Sequence, residues 1–69
     1  MKTENVRVIK CYFSKLDSEL VLATVSTHSG KYFADVLGEQ LKNFTNESSA
    51  IRHVEEELKF FYISRDASL

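Results

Sequence analysis

The chain has 69 residues and a formal net charge of −1, from nine basic and ten acidic side chains. A chain of this length is expected to form one domain with a thin core, because it buries only about 60% of the surface that it exposes when unfolded. Its single cysteine, Cys11, excludes an internal disulfide and is typical of a reducing compartment. No apolar stretch reaches the roughly 20 residues of a membrane helix. We therefore expect a cytoplasmic protein.

Strand-like segments fill the first two-thirds of the chain. They are rich in β-branched and aromatic residues, and turn-forming residues separate them, most clearly in Thr27-His28-Ser29-Gly30-Lys31. Short loops between sequential strands favour an antiparallel meander. The predicted strands cover about residues 5–14, 19–27, 31–36 and 40–44.

One amphipathic helix is predicted at about residues 46–60. Thr45 and Asn46 are both suitable N-caps, and Glu47 in the first turn complements the helix dipole. Apolar residues recur on one stripe, which consists of Ala50, Ile51, Val54, Leu58, Phe61 and Tyr62. The sequence thus predicts an α+β fold, in which a three- to four-stranded antiparallel meander packs against one C-terminal amphipathic helix. Residues 64–69 are expected to form a frayed tail.

Two large apolar residues do not fit the stripe. Phe60 and Ile63 point away from it if the helix continues, so either the helix ends near Lys59 and residues 60–63 become extended, or a second apolar patch is exposed. Core packing is the simpler interpretation of Phe61 and Tyr62. As candidates for a protein interface the sequence offers Phe60, Ile63 and Tyr62.

The residues that carry chemistry in other proteins form no recognisable site in this sequence. Cys11 lies in a strand-like run, where a free cysteine usually packs as a small apolar residue, and a dyad with His28 or His53 has no motif to support it. One cysteine and two distant histidines do not supply the four ligands of a zinc site. The carboxylates at positions 55–57 point in three directions around a helix, which is typical of a solvated face. We expect no catalysis, no cofactor and no metal.

These features predict a small non-enzymatic interaction protein that binds a protein partner, a second copy of itself, or both. In size and composition, though in no motif, it resembles the stand-alone accessory proteins and inhibitors of phages and mobile elements, including anti-CRISPR and anti-restriction proteins. That resemblance implies binding to a host protein. Mimicry of DNA would require a denser negative stripe, because cations interrupt the acidic C-terminal third at Arg52, Lys59 and Arg65.

A DNA-binding function is the alternative. Strands followed by Phe44-Thr45, with Ala50 in the helix, make the segment Gly30–Leu58 resemble the arm-type DNA-binding domain of tyrosine recombinases. That family places a three-stranded sheet in the major groove and backs it with a helix. The resemblance implies DNA contacts from the strand-borne cations Arg7, Lys10, Lys31 and Lys42. The net charge of −1 argues against it, because affinity for nucleic acid rests largely on phosphate neutralisation.

Overall fold

The computed structural model describes residues 6–37, 39–59 and 61–66. Within these ranges a five-stranded antiparallel sheet, in the order β4-β3-β2-β1-β5, packs against one helix. The predicted α+β class and the meander of the first four strands are confirmed. The elements in chain order are β1 Arg7–Ser14, β2 Val21–His28, β3 Lys31–Val36, β4 Lys42–Phe44, α1 Glu47–Leu58 and β5 Tyr62–Asp66.

Two expectations for the C-terminal part were wrong. The sheet has five strands rather than three or four, and residues 64–66 belong to β5 rather than to a frayed tail. The reason is that β1 has a second edge, opposite β2, on which β5 pairs in antiparallel register from Lys10↔Asp66 to Ser14↔Tyr62. The expected strand start at residue 5, Phe60 and residues 67–69 of the expected tail lie outside the described residues.

Local chemistry accounts for the turns of the meander. Ser29 and Gly30 join β2 to β3 with φ values of 55° and 77°, the pair of positive values that a type I′ hairpin turn requires. Asp17 organises the loop between β1 and β2, because its Oδ1 accepts a hydrogen bond from the Glu19 amide at 3.0 Å and its carbonyl accepts one from the Leu20 amide at 3.0 Å. Both turns keep the connections short and the neighbouring strands antiparallel.

Helix α1 begins and ends at defined residues. Of the two candidate caps, Asn46 is the one used: its side-chain oxygen accepts a hydrogen bond from the Ser49 amide at 2.8 Å. The helix stops at Leu58, and Lys59 follows with φ 58° and ψ −117°, its amide still bonded to the Glu55 carbonyl at 2.9 Å. The chain then becomes extended as β5. Of the two sequence-based alternatives, this is the one in which the helix ends near Lys59.

The core lies between α1 and one face of the sheet. Its buried side chains are small, apart from one aromatic ring, and this allows a close approach of the helix. Helix α1 packs mainly on β3, and also on β2 and β4, and it contacts β1 through the buried ring of Tyr12. The buried residues are Tyr12, Ala23, Val25, Ala34, Val36, Ala50 and Val54. Phe61, which was expected in the core, is instead 71% exposed, because it lies in the turn after α1 rather than on the helical stripe.

Candidate protein-interaction site

Strand β5 is an edge of the sheet. Among the described residues it pairs with β1 alone, so alternate backbone N–H and C=O groups of Tyr62–Asp66 point away from the sheet. The position of β5 follows from the turn at Lys59, which sends the chain back along β1 instead of continuing the helix. An unpaired edge of this kind is a template for a further strand.

Beside this edge, a groove of about 580 Å³ separates β5 from the flank of α1. It exists because α1 packs mainly on β2, β3 and β4, which leaves a space between the flank of the helix and Tyr62 on β5. Ile51 and Tyr62 supply its apolar lining, and the rest comes from one flank of the helix, at Ser48, Arg52, Glu55, Glu56 and Lys59. Two cations and two carboxylates therefore line the groove, and their formal charges cancel.

Aromatic rings connect the groove to the core. The ring of Tyr62 packs edge-on against that of Tyr12, with centroids 5.3 Å apart and planes inclined at 68°. Tyr12 is fully buried, and its hydroxyl donates a hydrogen bond to Oε2 of Glu55 at 3.2 Å. Lys10 Nζ lies 4.0 Å from the same carboxylate oxygen. Tyr62 is thus held in place by a buried neighbour that is itself hydrogen-bonded to the helix.

The protonation state of Tyr12 is fixed by its surroundings. Burial raises the pKa of its phenol far above the ordinary value of 10.0, and the negative charge of Glu55 raises this pKa further. Tyr12 is consequently a neutral hydrogen-bond donor at every physiological pH. It positions Glu55 and Tyr62 and has no tendency to give up its proton.

The structure separates the residues predicted for a protein interface. Tyr62 lies on the helix side of the sheet and lines the groove, whereas the next residue, Ile63, points to the opposite side and is 40% exposed. Phe60 lies outside the described residues. The interface assignment of Tyr62 and Ile63 stays a prediction, but the two residues belong to different surfaces.

The candidate thiol–imidazole pairs are not brought together. Cys11 is opposite Thr24 in the sheet, and His28 lies four residues further along β2, about 13 Å away at strand spacing. His53 is on α1 against the ring of Phe44, at 5.5 Å between centroids, on the other side of the sheet from Cys11. Among the residues that the structure describes, no group of three or more histidine, cysteine or carboxylate side chains is arranged to hold a metal ion.

The four strand-borne cations also do not share one surface. Lys10 is opposite Val25, and Lys42 is opposite Ala34, so both residues are on the helix side of the sheet. Lys31 precedes Tyr32 in β3 and lies on the side without the helix. Arg7 begins β1 at the exposed end of the strand. A row of phosphate contacts along one sheet face would require all four on the same side.

Four residues of the site were not singled out by the sequence. Tyr12 and Ile51 read as ordinary core positions, and Arg52 and Glu55 as parts of a solvated helix face. The available signal was Glu55 on the helix flank together with two tyrosines, Tyr12 and Tyr62, in strand-like segments. The packing of α1 on the sheet joins Glu55 to Tyr12, and the pairing of β5 with β1 places Tyr62 beside them.

Comparison with known proteins reveals no relationship: no family model, no curated protein and no solved structure matches the chain. The described part of the chain also contains no helix with the length and apolar content needed to cross a bilayer. The fold and the groove therefore define a class only, a small α+β domain with an open edge strand beside a helix-flanked groove.

Proposed function

We propose that the chain is a non-catalytic protein-interaction domain that binds an extended segment of a partner protein along β5. The observation that carries this proposal is the unpaired edge of Tyr62–Asp66 directly beside the groove of about 580 Å³. Strand addition at a sheet edge is a common mode of peptide recognition, in which main-chain hydrogen bonds supply affinity and neighbouring pockets read side chains.

The lining of the groove indicates the chemistry of the bound segment. Ile51 and Tyr62 favour an apolar or aromatic side chain inserted between α1 and β5. Arg52 and Lys59 balance Glu55 and Glu56, so the groove favours a segment without strong net charge. A neutral, extended, apolar-anchored segment is therefore the proposed ligand.

The biological role that we propose for such binding is that of an accessory protein or inhibitor, which occupies a surface segment of a host protein. This part of the proposal rests on the small size, the balanced charge and the absence of a recognisable catalytic motif in the sequence. The genes beside its coding sequence test this role. A position among phage or mobile-element genes supports it, and a position in a conserved metabolic operon contradicts it.

Adjacent serines in the first turn of α1 allow a matched test of the groove. Ser48 lines the groove and Ser49 does not, although both side chains are exposed. Peptides selected from a random displayed library against the wild-type protein are expected to bind Ser48→Trp at least tenfold more weakly, because the indole fills the groove. Binding to Ser49→Trp should stay within about twofold of wild type, since a difference of that size is under 0.5 kcal/mol.

Backbone amide shifts of β5 provide the second measurement. Peptide addition at the edge should move the resonances of Tyr62–Asp66 and slow their hydrogen exchange. Failure to select any peptide, equal binding to both tryptophan variants, or shifts confined to other elements would overturn the proposal.

A further inference from the structure

The face of the sheet that lies away from α1 carries several large apolar side chains among its polar ones. An antiparallel sheet with one solvated face normally shows polar residues there. Here the cross-strand pairing places large apolar side chains on that side, including Phe13 opposite Ile63, and Val8 and Phe33 on either side of Ser26. Val8 and Ile63 are 39% and 40% exposed. This surface, which we call the open face, is covered by no described element of the chain.

A row of four residues crosses the middle of the open face. Cys11 is opposite Arg65 on one neighbouring strand and opposite Thr24 on the other, and Thr24 is in turn opposite Asp35. The two charged residues thus stand at the ends of the row, about 14 Å apart at the usual spacing of strands. The Arg65 guanidinium carbon lies 5.1 Å from the centroid of Phe13, which confirms that its side chain lies over this face.

The charges at the two ends of this row would face opposite charges on a second copy of the chain if the two copies were related by one particular two-fold rotation. A two-fold axis parallel to the strands, midway between two stacked sheets, reverses the order of the strands across the row. When the axis passes between β1 and β2, Arg65 lies over the partner's Asp35, and Asp35 lies over the partner's Arg65. An axis across the strands would instead superpose like charges. Neither Arg65 nor Asp35 forms an ion pair with another described residue of its own chain.

The same rotation matches apolar residues. It places Ile63 over the partner's Leu37 and Phe13 over the partner's Leu22. The open face has a shallow hollow of about 80 Å³ at this position, with Leu22, Leu37 and Asp35 among its lining residues. A phenyl ring from a second copy would fill that hollow, and Leu37, which is 68% exposed in one copy, would be covered.

The available area is sufficient for a weak specific dimer. Five strands at about 4.8 Å and about six residues at 3.3 Å give a face of roughly 480 Å² per copy. Two copies would bury about 1,000 Å² together, which is close to the lower limit of specific interfaces. We expect a dissociation constant in the micromolar range, because interfaces at the lower limit of area belong mostly to weak complexes.

We propose that two copies of this chain stack through their open faces as a two-fold dimer, with reciprocal Arg65–Asp35 ion pairs at the ends of the shared row. The dimer is a four-layer arrangement of helix, sheet, sheet and helix. Both grooves remain on its outer sides, so the dimer does not depend on the proposed peptide binding. It would present two binding sites to a partner.

Charge reversal at the two ends of the row tests the dimer. In Arg65→Glu each ion pair becomes Glu against Asp, and in Asp35→Arg it becomes Arg against Arg. Sedimentation of the full chain should show each variant dissociating at least tenfold more readily than wild type. An equimolar mixture of the two variants should recover the dimer, because both contacts in the mixed dimer join opposite charges.

A covered thiol gives a measurement that needs no variant. Cys11 lies within the row, so its alkylation by iodoacetamide should slow at least fivefold as the wild-type concentration rises through the dissociation constant. A wild-type chain that stays monomeric at about 1 mM, roughly a hundredfold above the middle of the micromolar range, would overturn the proposal. So would a concentration-independent alkylation rate, or a variant mixture that remains as dissociated as its components. A dimer through β5 edges would leave the alkylation rate of Cys11 independent of concentration and the oligomeric state of Asp35→Arg unchanged.

Discussion

The hydroxyl of Tyr12 donates a hydrogen bond to Oε2 of Glu55 at 3.2 Å, and this contact joins residues that are 43 positions apart. Together with the Lys10–Glu55 ion pair it links β1 to α1, which packs mainly on β2, β3 and β4. Because Tyr62 packs on the same ring, the contact also fixes the position of the edge strand relative to the helix. The shape of the groove therefore depends on the contacts of Tyr12 with Glu55 and Tyr62.

Removing that hydroxyl should cost a measurable part of the stability. Tyr12→Phe keeps the buried ring and loses the hydrogen bond, so we expect the free energy of unfolding to fall by about 1 kcal/mol. Urea titration measures it. Tyr62→Phe is the matched control, since the Tyr62 hydroxyl has no described hydrogen-bond partner, and its change should stay within about 0.5 kcal/mol. Equal losses in the two variants would contradict a stabilising role for the Tyr12–Glu55 bond.

The raised pKa of Tyr12 predicts a dependence of stability on alkaline pH. In the unfolded chain the phenol loses its proton near pH 10.0, whereas the folded chain holds it to higher pH. Above pH 10 the native state therefore binds more protons than the unfolded state, and this contribution to stability declines by about 1.4 kcal/mol per pH unit. Below pH 10 the contribution is complete and constant.

The comparison with Tyr12→Phe isolates the contribution of Tyr12 ionisation to the unfolding free energy, because the variant retains every other titrating group. The difference in unfolding free energy between wild type and Tyr12→Phe should be constant from about pH 7 to pH 9 and should shrink above about pH 10. A difference that does not change up to pH 11 would show that Tyr12 has an ordinary pKa in the folded state, and a difference that grows with pH would show that this pKa is lowered.

The start of α1 provides a prediction that separates two neighbouring residues. The sequence offered Thr45 and Asn46 as caps, and the structure uses Asn46, whose side chain accepts a hydrogen bond from Ser49. Asn46→Ala should lower the unfolding free energy by about 1 kcal/mol. Thr45→Ala should change it by less than about 0.5 kcal/mol, since Thr45 is exposed outside the helix. The reverse order in thermal unfolding would assign the cap to Thr45.

Elements with local signals were predictable from this sequence. The hairpin turn at Ser29-Gly30 and the start of α1 near Asn46 depend on residues within a few positions of one another. The nearly continuous apolar run from Leu20 to Val25 is typical of a strand with neighbours on both edges, which is the position of β2 in the sheet.

The C-terminal strand and the groove depend on contacts that no local pattern encodes. β5 pairs with β1 about fifty residues earlier in the chain, as in Cys11↔Arg65. Three of its five residues, Ser64, Arg65 and Asp66, are polar, so the sequence resembles a disordered C-terminus. An edge strand that packs on one face needs few apolar side chains. The turn that directs it is formed by a lysine rather than the glycine that would have marked the helix end. The groove lies between α1 and β5, so it could not be predicted from a sequence that gave no indication of β5.

The last prediction concerns the backbone conformation of Lys59. Lys59 has φ 58° and ψ −117°, a backbone conformation that glycine adopts readily and a residue with a Cβ adopts at a cost. Lys59→Gly should therefore raise the unfolding free energy by about 1 kcal/mol, equivalent to roughly 4–8 °C in Tm for a domain of this size. Lys59→Ala removes the charge but keeps the Cβ, so its Tm should stay near that of wild type. Lys59→Val should lower Tm, because a β-branched residue is the least tolerant of positive φ. If glycine, alanine and valine gave the same Tm, the turn after α1 would have to relax without strain, and the direction in which β5 leaves the helix would have another cause.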